Sequence, residues 1–220
     1  MREAFDIQLQ EMLQKLLLMG GLTESMIEQA IHALLGADES LANQVTATEQ
    51  RVDALQVELD EACVRLTVQH QPVARDVRFI FVVSRVASNV ERMADQAINI
   101  TQNTRFALAG PQLQPPSELR DMAAAVRKMV GSALAAIVMR DVRVAQEVIE
   151  IEQEVNSLRD HVFMKLLTDM NNHPQRLSRE LSLILISRNL EKIGDHATNI
   201  AKETIYLVRG QDVRHDPPAD

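Results

Sequence analysis

The chain has 220 residues, 46% hydrophobic but only 3% aromatic, and a formal net charge of −8. That charge excludes nonspecific binding to nucleic acid or to an anionic membrane, both of which need clustered Lys and Arg, and leaves cations or basic protein patches as compatible partners. The length allows one large or two small helical domains, and with no Trp and one Tyr Leu, Ala, Val, Ile and Met must fill the interior.

Residues Met1 to Asp6 carry two acids and lack the apolar run of a signal peptide. No stretch is expected to reach the ~18–20 apolar residues of a membrane span. The only cysteine, Cys63, stands among helical core positions as a small hydrophobe. With no partner for a disulfide, it fits a reducing compartment. The expectation is a soluble, cytoplasmic protein.

Apolar residues recur in alternating steps of four and three along most of the chain, the pattern of helix packed on helix. The first run is Phe5, Leu9, Met12, Leu16, Met19, Thr23, Met26, Ala30 and Ala33. Gly20 and Gly21 weaken it by about 1 kcal/mol each, but the phase carries through, which predicts one helix with a soft point. Gly36 ends it, and Asp38 is suited to cap the next. The second run, Val45, Thr48, Val52, Leu55, Leu59, Ala62 and Leu66, stops at Gln69–Pro72. Pro72 suits the first turn of a third helix, whose core residues are Val83, Val86, Val90, Met93, Ala97 and Ile100.

Gly110-Pro111 and Pro115-Pro116 make the strong break. Leu119, Met122, Val126, Met129, Ala133 and Ala136 form a fourth helix, and Asp141 caps a fifth with Val148, Ile151, Val155, Leu158 and Val162. After the turn at Asn171–Pro174, a sixth carries Leu183, Ile186, Leu190, Ile193, Ala197, Ile200 and Leu207. The predicted fold is all-α: two tandem, pseudo-symmetric three-helix bundles, residues 1–110 and 115–210, with a loose tail over 211–220.

One phrase is written twice. Asn89, Glu91, Asp95, Asn99 and Ile100 recur 100 residues later as Asn189, Glu191, Asp195, Asn199 and Ile200. On a helix, spacing by four stacks side chains on one face, and each stacked pair of acids repels by roughly 0.2–0.5 kcal/mol. With 100° per residue, Glu91 lies roughly 140° and Asp95 about 180° from the centre of the core stripe. The sixth helix has the same phase, so Glu191 and Asp195 also point outward. On the preceding helices Glu49 and Asp53, and Glu152 and Asn156, each follow core positions by one residue. Counting back and forth from the turns brings each helix pair's polar set to one height, within ~3–5 Å.

A lone outward acidic pair is ordinarily just a solvated face. Repetition and pairing with the adjacent helix make a surface cation site the sharper reading, because carboxylates without thiolates suit hard or borderline cations with oxygen ligands. Asn156 breaks the pattern in the second half. His196 projects about 100° from Asp195 and reads as an ordinary surface histidine. Asn99 and Asn199 continue the stripe, available to the acids or a partner. No inward Glu-x-x-His pair, Gly-rich phosphate loop or nucleophile elbow is present, so no catalytic residue and no organic cofactor is assigned. A carboxylate-based metal-dependent enzyme and a metal-storage bundle remain as alternatives.

Together with Met19-Gly20-Gly21, Asp60-Glu61-Ala62-Cys63-Val64-Arg65, Gln71-Pro72, Asp76-Val77-Arg78 and the stretch Gly210–His215, the paired Glu-x-x-x-Asp motifs at 91–95 and 191–195 resemble the PhoU family of bacterial regulators of phosphate uptake. The resemblance spans nearly the whole chain. It implies two symmetric three-helix bundles and a non-enzymatic, cytosolic negative regulator of phosphate uptake and of the phosphate regulon. Such a protein acts as an adaptor between the ATPase subunit of the phosphate ABC transporter and a phosphate-sensor histidine kinase, and it often dimerises. The resemblance also implies binding of iron, zinc or another divalent cation through the acidic pairs, carried here to Glu49, Asp53, Glu91, Asp95, Glu152, Glu191 and Asp195.

Overall fold

The computed structural model describes residues 2–36, 38–108 and 115–213. These residues form six long α-helices and one short 3₁₀ turn: α1 (Arg2–Gly36), α2 (Glu39–His70), α3 (Ala74–Leu108), α4 (Ser117–Met139), α5 (Val142–Asn172) and α6 (Leu177–Arg209), with Pro174–Arg176 leading into α6. The expected Gly110-Pro111 break and most of the 211–220 tail lie outside the described residues.

The caps follow from local chemistry. Asp38 accepts from the Ser40 backbone N–H at 2.9 Å, and Asp141 from that of Arg143 at 2.8 Å, each satisfying an amide that the first turn leaves free. α2, α4 and α6 end in left-handed residues, Gln71, Arg140 and Gly210. Pro72 lies two residues ahead of α3, not in its first turn as expected. Val73 there supplies the carbonyl that accepts from the Asp76 and Val77 amides.

α1, α2 and α3 pack together around Met12, Met19, Leu55 and Leu59, and α4, α5 and α6 around Met122, Met129, Leu183 and Leu190. The fold is therefore two pseudo-symmetric three-helix bundles. Thr48 and Ile151, placed in the core from periodicity, are only half-buried, whereas Thr23 is enclosed. Flexible methionines take the place of aromatics as gap-fillers.

The halves share one continuous apolar core. α3 and α6 run antiparallel along each other: Arg85 meets Glu203 at one end, Asn89 meets His196, and Arg179 donates to the Ala107 carbonyl at the other. That register sets Met93 level with Ile193, both fully buried, on the local axis that exchanges the two repeated phrases. α1 and α4 make a second antiparallel contact, where Arg127 pairs with Glu28 at 3.0 Å. Gly20 belongs to this contact. A Cβ there would stand 3.0 Å from a Leu134 methyl on α4, so Gly20 is where the two halves approach closely and not merely a soft point in α1.

One expectation is corrected. Ser117–Met139 is long and apolar enough to cross a membrane by length and composition. The motif reading missed it because Arg127 and Lys128 interrupt the run. Leu119, Met122, Val126 and Met129 are buried against the other helices, and Arg127 and Lys128 are exposed, as in a core helix with one wet face.

Candidate functional site

Glu49 and Asp53 stand on α2, and Glu91 and Asp95 on α3, facing out between the two helices. Asp53 is exposed and the other three are half-buried. The core phase of each helix turns them outward: Val45, Val52, Leu55, Val90, Met93 and Ala97 occupy the inner faces. The four carboxylates are close enough to act on one another. Partial burial raises the proton affinity of Glu49, and Asp53 and Asp95 raise it further. Burial also raises Glu91, followed by Asp95, with Arg92 opposing and Asp53 and Glu49 adding to the rise. Asp95 is raised by burial and then by Asp53, again against Arg92. Three neighbouring carboxylates, Glu49, Glu91 and Asp95, that hold protons more tightly than usual mark a patch short of counter-charge.

The second patch differs in kind. Glu152 on α5 and Glu191 on α6 are half-buried, and Asp195 is exposed. The proton affinity of Asp195 is raised by the helix wall behind it, then by Glu191 and Glu152, against Arg159 and Lys192. Arg159 pairs with Glu191 and with Asp160. It follows Glu152 and Asn156 in steps of four and three, so it lies on their face of α5. The same stripe on α2, Glu49, Asp53 and Gln56, has no cation at that place. The exchange of Asp53 for Asn156 and of Gln56 for Arg159 turns a bare acidic patch into a largely neutralised one. Sequence reading flagged Asn156 but not Arg159, which the i, i+3 continuation could have revealed.

The donor set of the first patch is all oxygen, which suits a hard or borderline cation. The side chains nevertheless do not converge: among the described residues no three of His, Cys, Asp and Glu come close enough to share one ion. A cation would need these half-exposed side chains to change rotamer.

His196 is not a surface histidine. It is half-buried at the α3–α6 contact, its Nδ1 3.0 Å from the Asn89 Oδ1. Burial, with Arg92 and Lys192 nearby, lowers its pKa to about 4, so the ring is neutral at pH 7. Asn199 also donates to Asn89, at 3.4 Å, so this end of the repeated stripe meets the other half and not the acids. Cys63 is buried; it donates to the Ile80 carbonyl and lies 3.6 Å from the Met12 sulfur. Burial, and next the nearby Asp60, push its thiol up to about 11, so it is an inert packing residue.

The family model described as the PhoU domain matches residues 16–104 and 119–204, once in each half. A phosphate-specific transport system accessory protein PhoU homolog of Pseudomonas aeruginosa is 36% identical over 214 residues, 97% of this chain and 88% of that protein. The corresponding protein of Escherichia coli is 29% identical over 96% of this chain and 88% of its own length. The crystal structure of PhoU from P. aeruginosa superposes with a TM-score of 0.91 at 35% identity, over 94% of this chain and all of that one. The phosphate transport system regulatory protein PhoU from Streptococcus pneumoniae shares the fold, with a TM-score of 0.88 at 22% identity over 95% of this chain and 99% of its own.

Proposed function

The chain belongs to the PhoU family, and from that premise we propose that it is a cytosolic accessory protein of phosphate transport that negatively regulates phosphate uptake and the phosphate regulon. It works as an adaptor, without catalysis of its own, between the ATPase subunit of the phosphate ABC transporter and the sensor histidine kinase. The observation that carries this reading is the match of both halves, along nearly the whole chain, to relatives named as phosphate-specific transport accessory proteins. A further feature supports it. The acidic residues of both repeats face out on their helices, as a docking surface requires. Homodimerisation through the outer helix faces belongs to the same proposal.

Divalent cations bind the first patch, Glu49, Asp53, Glu91 and Asp95, more readily than the second, Glu152, Glu191 and Asp195. The raised proton affinities in the first patch support this order, as does the Arg159 pair in the second. Elemental analysis of chelator-free protein tests it: metal retained by the wild type must fall in the Glu91→Gln/Asp95→Asn variant.

The regulatory role is tested by deleting the gene and following a phosphate-scavenging reporter in phosphate-rich medium. Derepression that the wild-type gene reverses is expected. A reporter that stays silent without the protein overturns the proposal.

A further inference from the structure

Apart from the acidic patches, a cavity of about 910 Å³ opens where the two halves meet. Its walls come from residues 6–13 of α1, the start of α3, the α4–α5 turn and the last turn of α6, and Leu9, Leu13, Phe79 and Leu207 give it an apolar floor. Three guanidiniums, Arg75, Arg78 and Arg140, line it. We infer that this cavity binds a phosphorylated organic molecule of nucleoside diphosphate size, its phosphates held by Arg78, Arg140 and Arg75.

Two of the arginines are held in place by stacking and not by an ion pair. Arg78 lies over the Tyr206 ring, 5.4 Å from its centroid, and Arg140 over Phe79 at 5.5 Å. Stacking fixes the plane of a guanidinium and leaves its edge N–H donors free for an oxyanion. Among the described residues neither makes an ion pair, nor does Arg75. Arg85, also against Tyr206, is the contrast, because Glu203 engages it at 3.4 Å. Gly210 leaves room for Arg78: a Cβ at that position would fall 2.8 Å from Nη1. The amino end of α3, a 35-residue helix, adds its partial positive charge at Ala74.

Asp6 and Asp76 share the lining, so three cations face two carboxylates. The excess is small, but it stands in a chain of net charge −8. The aspartates also favour an organic phosphate over a bare one, since they accept hydrogen bonds from sugar hydroxyls or ring amino groups. A cavity this large, within the range of small-molecule sites, is poorly filled by a single orthophosphate, whereas its apolar floor suits a ring. The fold does not require the arginines. One repeat later, at the start of α6, Arg75 and Arg78 are replaced by Gln175 and Ser178.

Isothermal titration of the full chain with ADP, UDP, adenosine and sodium orthophosphate tests the assignment. At least one of the two diphosphates binds saturably, and adenosine and orthophosphate bind about tenfold or more weakly. Arg140→Gln and Arg75→Gln, at exposed positions, each weaken binding by about tenfold, the loss expected for one charged hydrogen-bonding partner, while the ligand-free melting temperature holds. Absence of saturable heat with both diphosphates at millimolar concentration overturns the inference. Equal binding of orthophosphate overturns it as well, as does diphosphate binding untouched by both substitutions.

Discussion

Neutralising the α3 half of the first acidic patch is expected to stabilise the protein. In Glu91→Gln/Asp95→Asn the i, i+4 repulsion on α3 disappears, worth about 0.2–0.5 kcal/mol. Repulsion with Glu49 and Asp53 across to α2 weakens by a similar amount, as for other half-exposed charges. The sum is about 0.5–1 kcal/mol at pH 7 and low salt. For a chain of this size that raises the melting temperature by about 1–4 °C. The pH dependence gives the sign. Glu91 and Asp95 bind protons more tightly folded than unfolded. Their ionised forms therefore cost stability as pH rises from about 4, the ordinary carboxylate value, through the raised folded values. The cost is full above those values and absent below the ordinary ones. Calorimetric melts of wild type and variant at low salt should differ at pH 7 and converge below about pH 4. A variant that melts below the wild type at pH 7, or loses helicity, would refute the outward, charge-repelled assignment.

The second patch should behave oppositely: Glu191→Gln removes one of the two carboxylates paired with Arg159, so its melting temperature at pH 7 stays level or falls. His196, lowered to about 4, makes the fold lose stability as pH falls from about 6.5 towards that value; the unfolded chain takes up the proton first. Replacing it with the Gln found one repeat earlier, at Gln96, should flatten that part of the curve. Leu190→Ala opens a hole at a 1% exposed position and should cost about 2–5 kcal/mol in denaturant melts. Gly210→Ala places a side chain at φ 72°, costing about 1–2 kcal/mol, and should displace Arg78 from its seat.

The helices were legible because Leu, Val, Ile and Met recur with the helical period, and because Asp38 and Asp141 mark starts that no neighbouring residue contradicts. The outward acids were legible for the same reason: the phase that buries Val90 and Met93 turns Glu91 and Asp95 to water. The joining of the halves was not. Its markers, Asn89, His196, Asn199, Arg85 and Glu203, are polar and pair across more than 100 residues of sequence, a separation that no local spacing reveals. Gly20 read as a defect because a lone sequence shows the missing side chain but not the Leu134 that fills its place. Arg75, Arg78 and Arg140 carry no sequence signal for a shared site, because only the α4–α5 turn brings Arg140 beside the start of α3.

The adaptor role is tested most directly by capturing the chromosomally tagged chain from cells grown at high and at low phosphate and identifying what comes with it. The transporter's ATPase subunit and the sensor kinase should both be retained, in amounts that change with phosphate. Failure to retain either one at both phosphate levels would contradict the account.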